Sequence, residues 1–126
     1  MHRATVVVIE EGAEAALVCA ALAKRPEVRV VEATDLTGAL AKLEGDGAPA
    51  KLAIAGAAAL GGSARELVAR LGERGIPVIG VASGISAAAR RDALEAGVRE
   101  MHERPRGWQP YSELIASLVS RFVRPD

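Results

Sequence analysis

Two adjacent acidic residues, Glu10 and Glu11, directly follow an apolar, β-branched run at residues 6–9. Carboxylate oxygens are the ligands that Mg²⁺ prefers, and paired carboxylates can also act as general acid and base. Arg104, near the other end of the chain, adds a guanidinium group that pairs readily with a carboxylate. Whether these three side chains form one site depends on the elements that carry them.

The common catalytic and phosphate-binding motifs are missing from the sequence. No Gly-x-x-x-x-Gly-Lys phosphate loop occurs, and neither Ser63 nor Ser83 has a glycine two residues away on both sides, as a nucleophile elbow requires. Cys19, the single cysteine, follows Val18 in an apolar helical pattern and is typical of a small core residue. We therefore predict no catalytic residue and expect that the chain is not an enzyme.

The composition predicts one globular domain over residues 1–126, with residues 124–126 as a tail or the start of a linker. Half of the residues are hydrophobic and a quarter are charged, which is enough to bury a core. Sixteen basic and sixteen acidic residues cancel, which argues against a nucleic acid or a membrane surface as partner. A single cysteine and an N-terminus without a signal peptide favour a cytoplasmic location.

Hydrophobic periodicity predicts five strands that alternate with five helices. The strands are expected at residues 6–9, 28–31, 52–55, 76–81 and 98–102. The expected helix starts are residue 13, a cap at Thr34 or Asp35, a cap at Ser63 after a Gly61-Gly62 turn, a cap at Ser86, and Pro110. This alternation implies a doubly wound α/β fold, a five-stranded parallel sheet with helices on both faces. We expect the flavodoxin-like strand order 2-1-3-4-5, in which functional groups gather at the carboxyl ends of the strands.

Six short segments follow one another in a fixed order along the chain: Val7-Val8-Ile9-Glu10-Glu11, Leu52-Ala53-Ile54-Ala55-Gly56, Leu60-Gly61, Ile76-Pro77-Val78-Ile79 with Gly80-Val81-Ala82-Ser83, Ala93-Leu94-Glu95-Ala96-Gly97 and Arg104-Pro105. Together they resemble the receiver domain of bacterial two-component response regulators (CheY-like), over residues 4 to 123. The resemblance implies a receiver-like domain that works in signal transduction.

The chain departs from the resembled family at the residues that would carry phosphotransfer. Gly56 stands where the family has its phospho-accepting aspartate, Ala82 where it has a hydroxyl, and Arg104 where it has a lysine. Only Glu10 and Glu11 remain of the acidic set, so the resemblance implies a degenerate phosphorylation site. Mg²⁺ would lack its third carboxylate, so we expect no metal or other cofactor. We expect Arg104 to pair with Glu10 or Glu11 instead.

Another departure is Met101, which stands where the resembled family usually has an aromatic switch residue. Together the departures favour a pseudo-receiver, a phosphorylation-independent interaction or signalling module.

In the resembled family, partners and dimer mates commonly use the face of helix 4, strand 5 and helix 5. The partner is then expected to be another protein or a second copy, with a candidate interaction face of Arg90, Arg91, Arg99, Arg106 and Trp108. An alternative interpretation of this face is a solvated surface with a helical Arg91–Glu95 pair.

An alternative function is the binding of a small ligand in the crevice at the strand ends. The residues of this crevice are very small and could leave room for a ligand: Gly56, Ala57, Ala58 and Ala82.

Overall fold

A computed structural model describes residues 3–46 and 50–123, without the side chains of residues 46, 62 and 63. The predicted tail at 124–126 lies outside the described residues. Five strands and five helices alternate as β1 (Ala4–Ile9), α1 (Gly12–Ala23), β2 (Val28–Ala33), α2 (Leu36–Asp46), β3 (Ala50–Ala55), α3 (Ala57–Gly72), β4 (Val78–Ala82), α4 (Ala87–Glu95), β5 (Glu100–Glu103) and α5 (Trp108–Phe122).

The five strands form one parallel sheet in the order β2-β1-β3-β4-β5, which confirms the predicted topology. Successive side chains of a strand point to opposite faces, and β1 uses both faces for apolar packing. Val6 and Val8 pack in one core cluster with residues of α1 and α5. Val7 and Ile9 pack in a second cluster with residues of α2, α3 and α4. The sheet is therefore buried on both faces, as a continuous β-branched run predicts.

Two of the predicted helix caps are confirmed by hydrogen bonds to the side chains. Asp35 Oδ1 accepts from the Gly38 amide at 2.8 Å, so Asp35 is the capping side chain before α2. Ser86 Oγ accepts from the Ala89 amide at 3.0 Å at the start of α4. The last helix begins at Trp108, two residues before Pro110.

The predicted turn at Gly61-Gly62 and the cap at Ser63 are wrong. Both glycines and Ser63 lie inside α3, which begins at Ala57 directly after the end of β3. Alanine is the strongest helix former, and Leu60 packs against the core from the first turn of the helix. Tertiary burial thus outweighs the cost of about 0.5–1 kcal/mol that each interior glycine imposes.

Across the described part of the chain, no helix combines the length and the apolar character needed to cross a membrane.

Candidate functional site

Backbone hydrogen bonds bring the predicted site residues to one edge of the sheet. The Gly56 amide donates to the Ile9 carbonyl at 3.1 Å, which places position 56 beside the residue that precedes Glu10. The Arg104 amide donates to the Ala82 carbonyl at 2.8 Å, which ties the end of β5 to the end of β4. The carboxyl ends of β1, β3, β4 and β5 therefore meet here, as the fold class predicts.

The side chain of Glu10 occupies the space beside Gly56 that any larger residue would need. A Cβ atom at position 56 would overlap the Glu10 carboxylate, since its nearest atoms are Oε2, the carboxylate carbon and Oε1 of that residue. The backbone of Gly56 is extended, with φ −94° and ψ −178°, and any residue type can adopt this conformation. The missing side chain of Gly56 therefore leaves room for the Glu10 carboxylate, the end of a flexible side chain that a larger residue at position 56 would displace.

Glu10 is half-buried, and this burial is the main cause of a raised pKa for its carboxyl group. The nearby carboxylates of Glu14 and Glu11 raise the pKa further, and the hydrogen bond from the Glu11 amide lowers it. That amide donates to Glu10 Oε1 at 3.1 Å. The folded protein thus favours the protonated form of Glu10 more than the unfolded chain does.

At neutral pH the Glu10→Gln variant is expected to have a higher free energy of unfolding than the original protein, so it should be more stable. Because the pKa of Glu10 is raised in the folded state, its carboxyl group contributes most to the free energy of unfolding below its ordinary pKa of 4.5. This contribution is lost as the pH rises. Glutamine keeps the volume beside Gly56 without the buried charge. Urea unfolding from acid to neutral pH checks this, with exposed Glu11→Gln as the control. A Glu10→Gln protein that is less stable at neutral pH would contradict the assignment.

Arg104 pairs with Glu14, and not with Glu10 or Glu11 as the sequence predicted. Arg104 Nη1 lies 2.5 Å from Glu14 Oε1, and the two side chains are 31% and 42% exposed. Glu14 lies in the first turn of α1, the helix that follows the acidic pair in the chain. The prediction of Glu10 or Glu11 as the partner of Arg104 is therefore wrong.

Tyr111 of α5 lies behind this ion pair and is almost fully buried. Burial raises the pKa of its phenol, Glu14 and Glu10 add to the rise, and Arg104 opposes it. The hydroxyl oxygen has no hydrogen-bond partner among the described residues. The ring of Tyr111 thus packs in the apolar core close to the charged groups of Glu14, Arg104 and Glu10.

Glu103 fastens the loop between β4 and α4, a role that the sequence analysis missed. Its two carboxylate oxygens accept hydrogen bonds from the Gly84 amide at 2.7 Å and the Ile85 amide at 3.0 Å. These two bonds lower the pKa of the Glu103 carboxyl group. Gly84 has a φ of 70°, which glycine adopts readily. The glycine and the register that pairs Ala82 with Glu103 were the available signals.

Met101 lies inside the domain, with 7% of its surface exposed. Its sulfur rests on Gly80 of β4, where an added Cβ would overlap it and would lie 2.8 Å from Leu60 Cδ1. Gly80 therefore provides the space that Met101 and Leu60 fill.

The four arginines of the candidate interaction face, Arg90, Arg91, Arg99 and Arg106, are all exposed. Arg90 also donates from Nη1 to the Met101 carbonyl, which fixes its side chain across β5. Leu94 of α4 is 45% exposed, so it does not serve the core.

Trp108 is 41% exposed and lies close to α1. The Nζ atom of Lys24, the residue that follows α1, is 5.3 Å from the centre of the Trp108 ring. The structure therefore places Trp108 beside the C-terminal end of α1.

The acidic residues do not fit the magnesium site that the resemblance implies. The Glu10 carboxylate is turned onto Gly56, and the Glu14 carboxylate is engaged by Arg104. Among residues 3–46 and 50–123, no group of three or more His, Cys, Asp or Glu side chains is arranged to hold a metal ion.

Comparison with protein-family models and with curated proteins gave no match. Solved structures do match. The phosphorylated cyanobacterial phytochrome response regulator RcpA is 16% identical, with a TM-score of 0.77 over 98% of this chain and 95% of that one. The receiver domain of the putative response regulator NarL from Mycobacterium tuberculosis is 20% identical, with a TM-score of 0.71 over 94% and 97% of the two chains. HP1043, an orphan response regulator of H. pylori, is 16% identical, with a TM-score of 0.71 over 94% and 96%. The chain therefore has the flavodoxin-like fold of response regulator receiver domains.

Proposed function

We propose that this chain is a pseudo-receiver that works as a phosphorylation-independent interaction or signalling module. The carrying observation is the Glu10 carboxylate, which fills the space where a phospho-accepting side chain at position 56 would begin. The outline of a receiver-like site supports the proposal: Glu10, Glu11, Gly56 and Arg104 follow the ends of β1, β3 and β5, and Ala82 is the last residue of β4. The chemical groups at these positions no longer suit phosphotransfer.

Phosphoryl transfer depends on groups that position and neutralise the phosphoryl oxygens. Gly56 offers no nucleophile, and the methyl group of Ala82 cannot donate a hydrogen bond. Arg104 carries a positive charge, but this charge is engaged by Glu14. We further propose that the domain is not an enzyme and needs no metal or other cofactor.

The contacts around the site favour a domain with one fixed state. Met101 is packed inside against Gly80, and Glu103 holds the β4–α4 loop through two backbone amides. A ligand shifts a conformational equilibrium only through different affinities for its two states. Because the site binds no phosphoryl group, no such ligand shifts the domain between two conformations.

We propose that the domain acts in the cytoplasm, through the exposed face of α4, β5 and α5. Arginine is enriched at protein interfaces, and exposed Leu94 adds apolar area beside Arg90 and Arg91. The partner would be another protein domain or a second copy of this chain. Nucleic acid and membrane surfaces are poor candidates for the partner, because both attract basic proteins and this chain has zero net charge. The comparisons do not favour the small-ligand alternative, because the similar structures are response regulators.

The ¹H–¹⁵N spectrum of the full chain is expected to stay unchanged when Mg²⁺ and beryllium fluoride, a phosphoryl analogue, are added. The beryllium atom needs a carboxylate acceptor, and position 56 offers none. The receiver domain of RcpA, treated in the same way, is the control for active reagents. Shifts that spread from the site to α4 and β5 would overturn the proposal.

A further inference from the structure

A groove of about 320 Å³ lies between α3 and α4 beside the degenerate site. Its described walls are mostly apolar and small. The residues that matter here are Ala57, Leu60 and Ala64 of α3, Ala89 and Ala93 of α4, and Met101 of β5.

The groove stays open because α4 contributes no large side chain to it. Ala93 is the one described residue of α4 that is buried, and Leu94 points to solvent. Ala89 faces the groove and is exposed. The chain itself therefore leaves this small apolar surface uncovered.

Asp92 is the charged side chain among the described residues that line the groove. It is exposed and forms no ion pair within the described part of the chain. A partner group that fills the groove would bind more tightly if the partner also placed a cation near the Asp92 carboxylate. The apolar walls and the single carboxylate together define the chemistry of the occupant.

The walls of the groove are held in place before any partner binds. Gly84 and Ile85, which form one rim, are fastened by the two carboxylate oxygens of Glu103. Met101, at the base, has a flexible thioether that adapts to groups of different shape. A preformed site reduces the entropy that binding must overcome.

We propose that the α3–α4 groove binds one large apolar side chain of a partner protein, next to a lysine or arginine that pairs with Asp92. The volume lies at the lower end of the range of about 300–1,000 Å³ for ligand pockets, which suits a single side chain. The inference rests on the proposed function, because it identifies the kind of partner that the module recognises.

Three blocked tripeptides test the inference by ¹H–¹⁵N NMR titration of the full chain. The probes are acetyl-Gly-Lys-Trp-amide, acetyl-Gly-Glu-Trp-amide and acetyl-Gly-Lys-Ser-amide. We expect the first to shift the amides of Ala64, Ile85 and Ala89 and to bind at least about threefold more tightly than the second, as an exposed ion pair allows. The third should produce no such shifts.

Matched variants separate the two parts of the recognition. Ala89→Phe fills the groove and should abolish the shifts, whereas Ala88→Phe, on the same helix but outside the groove, should keep them. Asp92→Asn should equalise the lysine and glutamate peptides, and Glu95→Gln should not. Shifts that are absent with all probes, or equal for all three, would overturn the groove inference. The beryllium fluoride experiment judges the proposed function independently.

Discussion

Gly56→Asp is expected to lower the free energy of unfolding by about 1 kcal/mol, a typical effect of a destabilising substitution. The new side chain would displace the Glu10 carboxylate and add a third negative charge beside Glu10 and Glu11. Urea unfolding measures the loss, and Mg²⁺ should restore part of it by neutralising the carboxylates. Phosphotransfer should stay slow, because Ala82 and the engaged Arg104 cannot stabilise the transferred group.

A cycle of smaller, uncharged substitutions at positions 56 and 10 separates the displacement of the Glu10 carboxylate from the effect of an added negative charge. Gly56→Ala should destabilise the protein, because its methyl group takes the place of the Glu10 carboxylate. In a Glu10→Ala background the same change should destabilise the protein less, because no carboxylate is displaced and only the preference for glycine over alanine at this helix N-cap remains. An effect of Gly56→Ala that is the same in both backgrounds would contradict the placement of Glu10.

Arg104→Ala is expected to cost about 1 kcal/mol of unfolding free energy, near the upper limit for exposed ion pairs. Both partners are more than half covered, with 31% and 42% exposure, so water screens the pair only in part. Its loss also leaves Glu14 close to Glu10 without a neutralising charge. Arg104→Lys should cost less, because it keeps the charge and loses the planar fork.

The control for Arg104 is Arg91→Ala, which removes an exposed arginine without an ion pair in the described structure and should change stability by less than about 0.5 kcal/mol. Combining Arg104→Ala with Glu14→Ala should cost less than the sum of the single changes. Strict additivity of the two would show that the ion pair contributes nothing.

The fold was predictable because each element carries its own local signal. The β-branched run of β1 indicates a strand buried on both faces, and Asp35 and Ser86 cap helices as their side chains predict. The start of α3 was not predictable from Gly61-Gly62, since the burial of Leu60 extends the helix through two unfavourable residues. Local propensity is weaker than tertiary packing at such positions.

The site was predictable in its position but not in its contacts. Strand ends indicate that Glu10, Gly56 and Arg104 share one edge, and the hydrogen bonds there bring them together. The partner of Arg104 depends on how α1 leaves β1, and this angle brings Glu14 to the guanidinium. The Glu103 carboxylate likewise acts across space, on amides that lie 18 and 19 residues away in the chain.

The central claim is that this domain does not accept phosphate. Intact-protein mass spectrometry after incubation with acetyl phosphate and Mg²⁺ tests it most directly, with the receiver domain of RcpA treated in parallel. With Gly56 and Ala82 at the site, the mass of this chain should stay unchanged while the control gains one phosphate. A stoichiometric gain of one phosphate, kept after replacement of the surface serines, would contradict the account.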